Sequence, residues 1–410
     1  MTASRELRSW LDDMSGIPAV WFSKRLSAND TKASGGHQAG PYLPKDVFFR
    51  VFPGLHRETD LNPETSIRFD IDSHADTRQV RAIWYNNKFH GGTRDEARLT
   101  RFGGGSSALL DPDNTGALVL FAFVAAADGQ HLHCRAWVCR SAVEEEHASE
   151  RFGVVDPGEW ISWTTDGVWA AHGLHTPGTA RADCRLTPAE IPPEWLRGFP
   201  RATEIVRRAV ELRPLRHLDV DARLLRRRDC EFEIFRSLEE TVELPIVQRG
   251  FPTLDQFLER AQTILQRRKA RSGRSLELHV REILIEEGLR EHEDFSYQPE
   301  SDPGKRPDFL FPSESSYKNA AFDPRALRML AVKTTCKDRW RQIINEADRI
   351  PRKHLLTLQE GISENQFREI SGAGVTLVVP TGLVKSYPPA IRASLLPLSA
   401  FVGEVRPPSR

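Results

Sequence analysis

The hydrophobic spacing changes kind partway along this chain, and that change limits what the chain can fold into. In the first part the apolar residues alternate. Over residues 66–72, Ile67, Phe69 and Ile71 point one way and Arg68, Asp70 and Asp72 the other, as a half-buried strand requires. Residues 80–85, 117–123 and 132–138 have the same strand character, and turn clusters such as Asp111-Pro112-Asp113-Asn114 separate them. Many short strands with little helix predict a β-barrel or sandwich. From about residue 173 to 195 the pattern is lost, and Pro177, Pro188, Pro192 and Pro193 fall there, which predicts an interdomain linker.

Beyond the linker the spacing turns helical. Thr253 and Gln256 form a candidate capping box before Leu254, Phe257, Leu258, Ala261, Ile264 and Leu265. Ser275 is expected to open a second helix, with Leu276, Val280, Ile283 and Leu284 on one face. Short apolar runs at 309–311, 330–332, 354–358 and 375–379 read as buried strands. Helices are expected between them at 338–348 and 364–370, the second with a capping box at Ser363 and Gln366. Strands alternating with helices imply a partly parallel sheet under helical layers. The 410 residues suffice for two or three domains, and we divide them at 1–175, a linker at 176–195, and 196–410.

The chain carries 57 Lys and Arg against 57 Asp and Glu, so no long-range basic field surrounds the whole molecule. Two local basic runs stand out, Arg226-Arg227-Arg228 and Arg267-Arg268-Lys269-Ala270-Arg271 with Arg274. Either could face phosphates. A solvated helix face balanced by Asp229, Glu231 and Glu233 is the commoner outcome for such runs. The five cysteines are odd in number and scattered, which predicts free thiols in a reducing compartment. His131, His133, Cys134 and Cys139 could suggest zinc, but Leu132, Cys134, Ala136 and Val138 alternate as a strand and no second pair completes a site. Residues 1–16 lack an apolar core of signal-peptide type, and the longest apolar stretch, 117–127, is too short to span a bilayer. A cytoplasmic protein is expected.

The candidate chemistry lies in residues 305–348. Arg306-Pro307-Asp308 precedes the apolar run Phe309-Leu310-Phe311, and a second run, Met329-Leu330-Ala331-Val332, ends in Lys333. Strand ends are where α/β sheets place their ligands. Taken alone, such a pair is more often a turn aspartate and a surface lysine, but a lysine ending a buried run is less ordinary. Carboxylates here could hold Mg²⁺ through hard oxygen ligands, and the metal would polarise a phosphoryl oxygen and acidify an attacking water. The lysine would offset charge developing on the phosphate. The usual nuclease spacing places an acid two residues before the lysine, where this chain has Ala331. Glu346, in a segment that reads as helix, could substitute if the chain turns back over the sheet. Glu277 is a third acid; its plainer reading is a first-turn glutamate favoured by the helix dipole. Lys337-Asp338-Arg339, at an expected helix start, could read C·G pairs in a major groove. Its plainer reading is a cap by Asp338 with solvated basic neighbours.

Longer stretches carry a resemblance. Arg25-Leu26-Ser27-Ala28-Asn29-Asp30-Thr31, Gly35-Gly36-His37-Gln38, Asp113-Asn114-Thr115-Gly116-Ala117-Leu118, residues 305–312 and residues 329–348 closely resemble the EcoRII family of type IIE restriction endonucleases, and the resemblance covers nearly the whole chain. It implies an amino-terminal β-barrel effector domain of B3-like fold that binds a copy of the target site. It implies a carboxy-terminal α/β restriction-endonuclease-like domain with a mixed sheet, which carries catalysis and dimerisation. In the family the effector domains block the catalytic cleft until they bind a second site. The family target is CCWGG, cut before the first C with Mg²⁺. The implied catalytic residues are Glu277, Asp308, Lys333 and Glu346, with Asp308 and Glu346 on the metal. Lys337, Asp338 and Arg339 match the element that reads the C·G pairs, and the central pair would be flipped out of the stack. Tyr317 matches a tyrosine that we assign a supporting place.

Two segments match the family's DNA-gripping arms. One spans residues 24–37 and contains Lys24, Arg25, Asn29 and His37; the other spans 94–101. In the latter, Arg94, Glu96 and Arg98 would project from one face of a strand and could read G and C, although a charge ladder between strands is the plainer reading. Ala97 stands where the family carries a basic residue, and Gly103-Gly104-Gly105 is more flexible than the family pattern. No Gly-Lys-Ser/Thr follows, so it is not a phosphate loop. The implied partners are double-stranded DNA at two or more sites, a second copy of the chain, and a cognate cytosine methyltransferase; no membrane is implied. A reading from another class is a non-catalytic DNA-binding regulator that keeps a nuclease-like scaffold.

Overall fold

Alternating strands build one large sheet in the first part of the chain. A computed structural model describes residues 2–35, 40–103, 106–125, 132–174 and 184–407. The strands are β1 (Ala19–Arg25), β2 (Tyr42–Leu43), β3 (Glu64–Ile71), β4 (Asp76–Tyr85), β5 (Glu96–Thr100), β6 (Leu118–Ala125), β7 (Leu132–Val138), β8 (Glu159–Thr164) and β9 (Ala170–Leu174). Their order is β2-β5-β4-β3-β7-β6-β1-β8-β9. Only β3 and β7 pair in parallel; every other neighbour is antiparallel. Phe22, Phe69, Trp84, Leu99, Phe121 and Phe123 fill the inner face. Three helices accompany the sheet: α1 (Thr2–Ser15), α2 (Lys45–Val51) and α3 (Ala142–Phe152). Leu7, Trp10, Leu11 and Met14 of α1 pack on the opposite face, against Trp21, Leu120 and Trp137. This explains why β6 is apolar without alternation: both of its sides are covered. The expected barrel is a curled sheet, and β2 and β9 stay at its edges without pairing with each other among the described residues. The spacing of Leu7, Trp10, Leu11 and Met14 is helical, and the sequence reading passed over it.

The second unit is helix and sheet. Its helices are α4 (Pro193–Arg197), α5 (Ala202–Leu212), α6 (Val220–Arg249), α7 (Leu254–Glu286), α8 (Glu314–Lys318), α9 (Trp340–Ile343), α11 (Thr381–Val384) and α12 (Leu398–Val405), while most of α10 (Glu364–Gly372) is grouped with the first unit. Its strands are β10 (Ser296–Tyr297), β11 (Phe309–Phe311), β12 (Arg328–Lys333), β13 (Lys353–Thr357) and β14 (Val375–Val378), hydrogen-bonded in that order. The pairs β10·β11 and β11·β12 are antiparallel; β12·β13 and β13·β14 are parallel. The sheet is therefore mixed, as expected. Leu276, Val280, Ile283 and Leu284 of α7 pack on Phe309, Leu330, Val332 and Leu356. By contact density one unit comprises Met1–Pro177, Gln359–Glu369 and Lys385–Ala393, and the other Gly178–Leu358, Ile370–Val384 and Ser394–Arg410. No helix among the described residues is long and apolar enough to cross a membrane.

Several expectations are corrected. The break expected at Ser275 is absent, and α7 runs unbroken for 33 residues. Ser275 caps nothing; its buried hydroxyl accepts from Arg228 Nη1 at 2.8 Å. Glu277 therefore lies in mid-helix, and the first-turn dipole reading lapses. The helix expected at 338–348 contracts to α9, four residues long. Several arginines of the two runs are buried or paired with acids of the facing helix, while Lys269 and Arg274 are exposed. Arg227 is fully buried, and Glu286 accepts from its Nη1 at 2.7 Å and its Nη2 at 2.9 Å. Arg267 pairs with Glu243 at 2.7 Å, Arg268 with Glu239 at 2.8 Å and Arg271 with Glu231 at 3.2 Å. Spacing along one helix could not reveal these glutamates, because they belong to the facing helix. Cys184 and Cys230 form a disulfide across 46 residues, with Cα atoms 5.1 Å apart, so the expectation of five free thiols is wrong. Cys134, Cys139 and Cys336 are free and buried. The bond forms because the segment entering α4 lies along α6, where Leu186, Ile191 and Trp195 pack with Ile234 and Phe235. Of the segment read as a linker, residues 175–183 lie outside the described residues.

Two stability predictions follow from buried charge. Glu286→Ala leaves Arg227 buried without its counter-ion, which should cost about 3 kcal/mol; urea unfolding checks this, and a loss below about 0.5 kcal/mol would contradict it. The second concerns His354 on β13. It is buried, 5.0 Å from the Phe401 ring, and its Nδ1 lies 3.2 Å from the Met329 carbonyl. Burial pushes its pKa down to about 4, against a weaker pull upward from that carbonyl. The ring is thus neutral when folded, whereas the unfolded ring takes a proton below its ordinary value. Stability is whole above about pH 6.5 and falls by about 3 kcal/mol as pH drops toward 4. His354→Gln should flatten that part of the curve; parallel curves for both proteins would refute the assignment.

Candidate active site

The register of the second sheet brings the sequence-distant acids toward one lysine. Phe309 lies opposite Leu330 in the antiparallel β11·β12 pair, so Asp308, just before β11, sits beside the far end of β12. Asp308 Oδ2 accepts from the Val332 amide at 2.7 Å and from Lys333 Nζ at 3.0 Å. One carboxylate thus ties the strand backbone to the lysine that ends the strand. Ala331 is fully buried and carries no acid to this point. Glu277 reaches the cluster from mid-α7. Gln298 Nε2 donates to its Oε2 at 2.9 Å, and the Tyr297 hydroxyl does so at 3.2 Å. The Gln298 amide donates to the Asp308 carbonyl at 2.9 Å. Gln298 adopts φ +49°, a left-handed conformation that costs a residue with Cβ about 1–2 kcal/mol. Glu346 lies in a bend after α9, not in a helix. Its neighbour Ala347 also has φ +49°, and Lys353 Nζ donates to the Ala347 and Ile350 carbonyls at 2.7 and 2.5 Å. Two strained residues that are not glycine therefore flank the acids, as happens where surrounding structure over-determines a site.

The four groups share one electric field. Burial raises the Glu277 pKa, Asp308 raises it further, and Gln298, Lys333 and Tyr297 oppose. Burial and then Asp308 push Glu346 up to about 7, against Lys333 and Lys353. Glu277, Asp308, Lys333 and Glu346 thus come together around one ammonium, with more carboxylate than it balances. Among the described residues no three His, Cys, Asp or Glu side chains already stand at metal-ligand spacing. The donor chemistry nonetheless fits a hard divalent cation: Asp308 and Glu346 offer oxygen only, and a cation held by them would relieve the repulsion that adds to burial in raising Glu346.

The remaining sequence candidates fall elsewhere. Lys337, Asp338 and Arg339 form the turn before α9, with Arg339 exposed. Arg339, not Asp338, occupies the cap position, and Asp338 pairs with Arg341 at 3.3 Å. The Tyr317 hydroxyl donates to Asp302 Oδ2 at 2.9 Å and accepts from the Arg349 amide at 3.2 Å, so it braces the chain just past Glu346. In the first unit, Lys24 and Arg25 are buried cations. Lys24 pairs with Asp30 at 2.7 Å, and Arg25 pairs with Glu145 at 2.8 Å while donating to the Gly116 carbonyl at 2.9 Å. Neither presents a free charge to solvent, contrary to expectation, because each strand-end cation meets a partly or fully buried acid. Asn29 is exposed, and His37 lies outside the described residues. Arg94 and Arg98 both donate to Glu96, at 2.5 and 3.1 Å, while Ala97 and Leu99 turn inward. Burial alone would raise the Glu96 carboxyl; Arg98 and Arg94 outweigh it and hold it low. Sequence reasoning missed Tyr297, Gln298 and Lys353. Only Lys353 left a signal, as a charge opening a buried run.

Comparison with known proteins agrees with both halves. A family model described as EcoRII C terminal matches residues 235–402, and one described as restriction endonuclease EcoRII, N-terminal, matches residues 15–166. The chain is 41% identical over 401 residues to the type II restriction enzyme EcoRII of Escherichia coli, covering 97% of this chain and 96% of the relative. Metal-depleted Ecl18kI in complex with uncleaved, modified DNA is a structural neighbour at 15% identity and TM-score 0.40, over 54% of this chain and 84% of the other. The UbaLAI restriction endonuclease B3 domain with cognate DNA is another, at 20% identity and TM-score 0.28, over 39% and 99%. With both family models matched in chain order, a curled sheet in the first unit and a mixed α/β sheet in the second, the chain belongs to the EcoRII family of type II restriction endonucleases, site-specific deoxyribonucleases.

Proposed function

We propose that Glu277, Asp308, Lys333 and Glu346 form one centre that hydrolyses a phosphodiester of double-stranded DNA with Mg²⁺. The observation that carries this reading is Asp308 Oδ2, which accepts from Val332 N–H and Lys333 Nζ at once while its charge adds to burial in raising both glutamates. Mg²⁺ held by Asp308 and Glu346 would supply Lewis-acid charge at the phosphate and acidify the attacking water. Lys333 keeps its ammonium beside the scissile phosphate and offsets the negative charge of the transition state. Glu277, with its raised pKa, is suited to take the proton of the attacking water. Tyr297 and Gln298 fix the direction of that carboxyl, and Lys353 holds the bend that carries Glu346.

The finer specificity rests on family membership at 41% identity. On that basis the target is CCWGG, cut before the first C. Lys337, Asp338 and Arg339 contact the C·G pairs from the turn before α9, where Arg339 is exposed. The half-buried edge of Arg94, Glu96 and Arg98 binds a second copy of the site, and that binding relieves autoinhibition. The working form is a homodimer, and a cognate cytosine methyltransferase protects the host's own sites.

Lys333→Ala should lower single-turnover cleavage at least 1,000-fold while DNA affinity changes by no more than a few-fold. Cleavage within tenfold of wild type would remove Lys333 from the chemistry. A plasmid with two target sites should be cut several-fold faster than one with a single site. Equal rates on both, at full activity, would sink the allosteric part and leave the hydrolytic part standing.

A further inference from the structure

The arginine-glutamate-arginine edge of the first unit rests on an aromatic ring that β5 itself does not supply. Tyr85, the last residue of β4, lies directly across the ladder from Glu96, so its side chain stands on the same face as Glu96 and Arg98. The guanidinium carbon of Arg94 sits 3.5 Å from the centre of the Tyr85 ring. At that distance the two planes must be nearly parallel, because a steep tilt would drive a guanidinium nitrogen into the ring. Tyr85 is buried, at 9% exposure, and its hydroxyl accepts from Arg81 Nη2 at 3.1 Å. Arg81 is held in turn, donating to Glu64 at 2.9 Å and to the Thr100 hydroxyl at 3.0 Å. The ring is therefore anchored at its far end and covered on one face by Arg94.

A free arginine side chain samples many rotamers, whereas bidentate reading of guanine O6 and N7 requires one guanidinium plane. Two contacts select that plane here. Tyr85 fixes the tilt of Arg94, and Glu96, which accepts from Arg94 Nε at 2.5 Å, fixes its rotation. The carboxylate uses the side of the guanidinium that bears Nε. The end with the two terminal nitrogens is then the one suited to a base edge. Arg98 is set by other means: Glu96 accepts from its Nε at 3.1 Å, and the Gly40 carbonyl accepts from its Nη1 at 3.1 Å. A charge ladder between strands would need the Glu96 pairs but not a ring beneath Arg94.

We propose that Tyr85 is a positioning residue for the second DNA site, holding the Arg94 guanidinium in the plane that reads a guanine. The proposal rests on the reading above that the edge of Arg94, Glu96 and Arg98 binds a second copy of the target. Tyr85 acts through Arg94 and needs no base contact of its own. A guanidinium stacked on a ring keeps its N–H groups in its own plane, so the stack adds orientation without using a donor. Little side-chain freedom is then lost on binding. The effect falls on affinity for the activating DNA and not on the cleavage step.

The full-length protein cutting a single-site plasmid, with a short target-bearing duplex added in trans, tests this. The duplex should accelerate cleavage with a saturable concentration dependence. Tyr85→Leu should raise the half-activating concentration about tenfold and leave the rate at saturating duplex within about twofold of wild type. Tyr85→Phe keeps the ring and should stay within about threefold of wild type in both. Far-ultraviolet circular dichroism checks folding. If Tyr85→Leu does not fold, Tyr85→Met, which fills similar space without a ring, gives the same reading. A folded variant without the ring that is activated at the wild-type concentration overturns the proposal, as does a Phe variant as impaired as the Leu one. Arg94→Ala separates the two readings. If it leaves the half-activating concentration unchanged, or if the duplex does not stimulate wild type, the edge is not the second site and both readings fall. If it raises that concentration while loss of the ring does not, only the role of Tyr85 is overturned.

Discussion

The contact on which the second unit depends is the double acceptance at Asp308. Its carboxylate oxygen binds the amide of Val332 and the ammonium of Lys333 together. The first bond fixes the carboxylate to a strand edge, and the second fixes the lysine to the carboxylate. A side chain held this way cannot reorient to satisfy its neighbours. Burial raises the proton affinities of Glu277 and Glu346, and the stationary negative charge of Asp308 raises them further. The strained backbones of Gln298 and Ala347 persist because the same arrangement holds them from several sides.

Away from that point, the helical frame relies on charge rather than on grease alone. α6 and α7 are joined by Glu231, Glu239, Glu243 and Glu286, each meeting arginine across the interface. Such pairs add little net stability compared with apolar residues of the same size, but losing one partner is expensive. They fix which turn of one helix faces which turn of the other. That register is what delivers Glu277, near the far end of α7, to the sheet rather than to solvent.

Much of the frame was legible in the sequence. β7 and β11 fall at the expected residues, and the mixed sheet follows from short apolar runs between helices. Asp308 and Lys333 could be picked out because they border such runs. What failed was information held outside the local window. Ser275 resembled a helix start because its arginine partner lies on another helix. Arg227 resembled a surface residue because Glu286 is far away in sequence. Gln298 had no signature at all, since its role comes from a left-handed backbone and two tertiary hydrogen bonds. Cys184 and Cys230 could not be paired from spacing, because their approach follows from the segment before α4 lying on α6.

The central claim is that these acids act as one centre, and a double-mutant cycle in single-turnover DNA cleavage tests it most directly. Asp308→Asn and Glu346→Gln should each reduce the rate by several orders of magnitude, and the double variant should be little worse than either single one, as for residues that act as a unit. Losses that multiply, or a Glu346→Gln enzyme that cuts at the wild-type rate, would mean that Asp308 and Glu346 do not serve a common reaction.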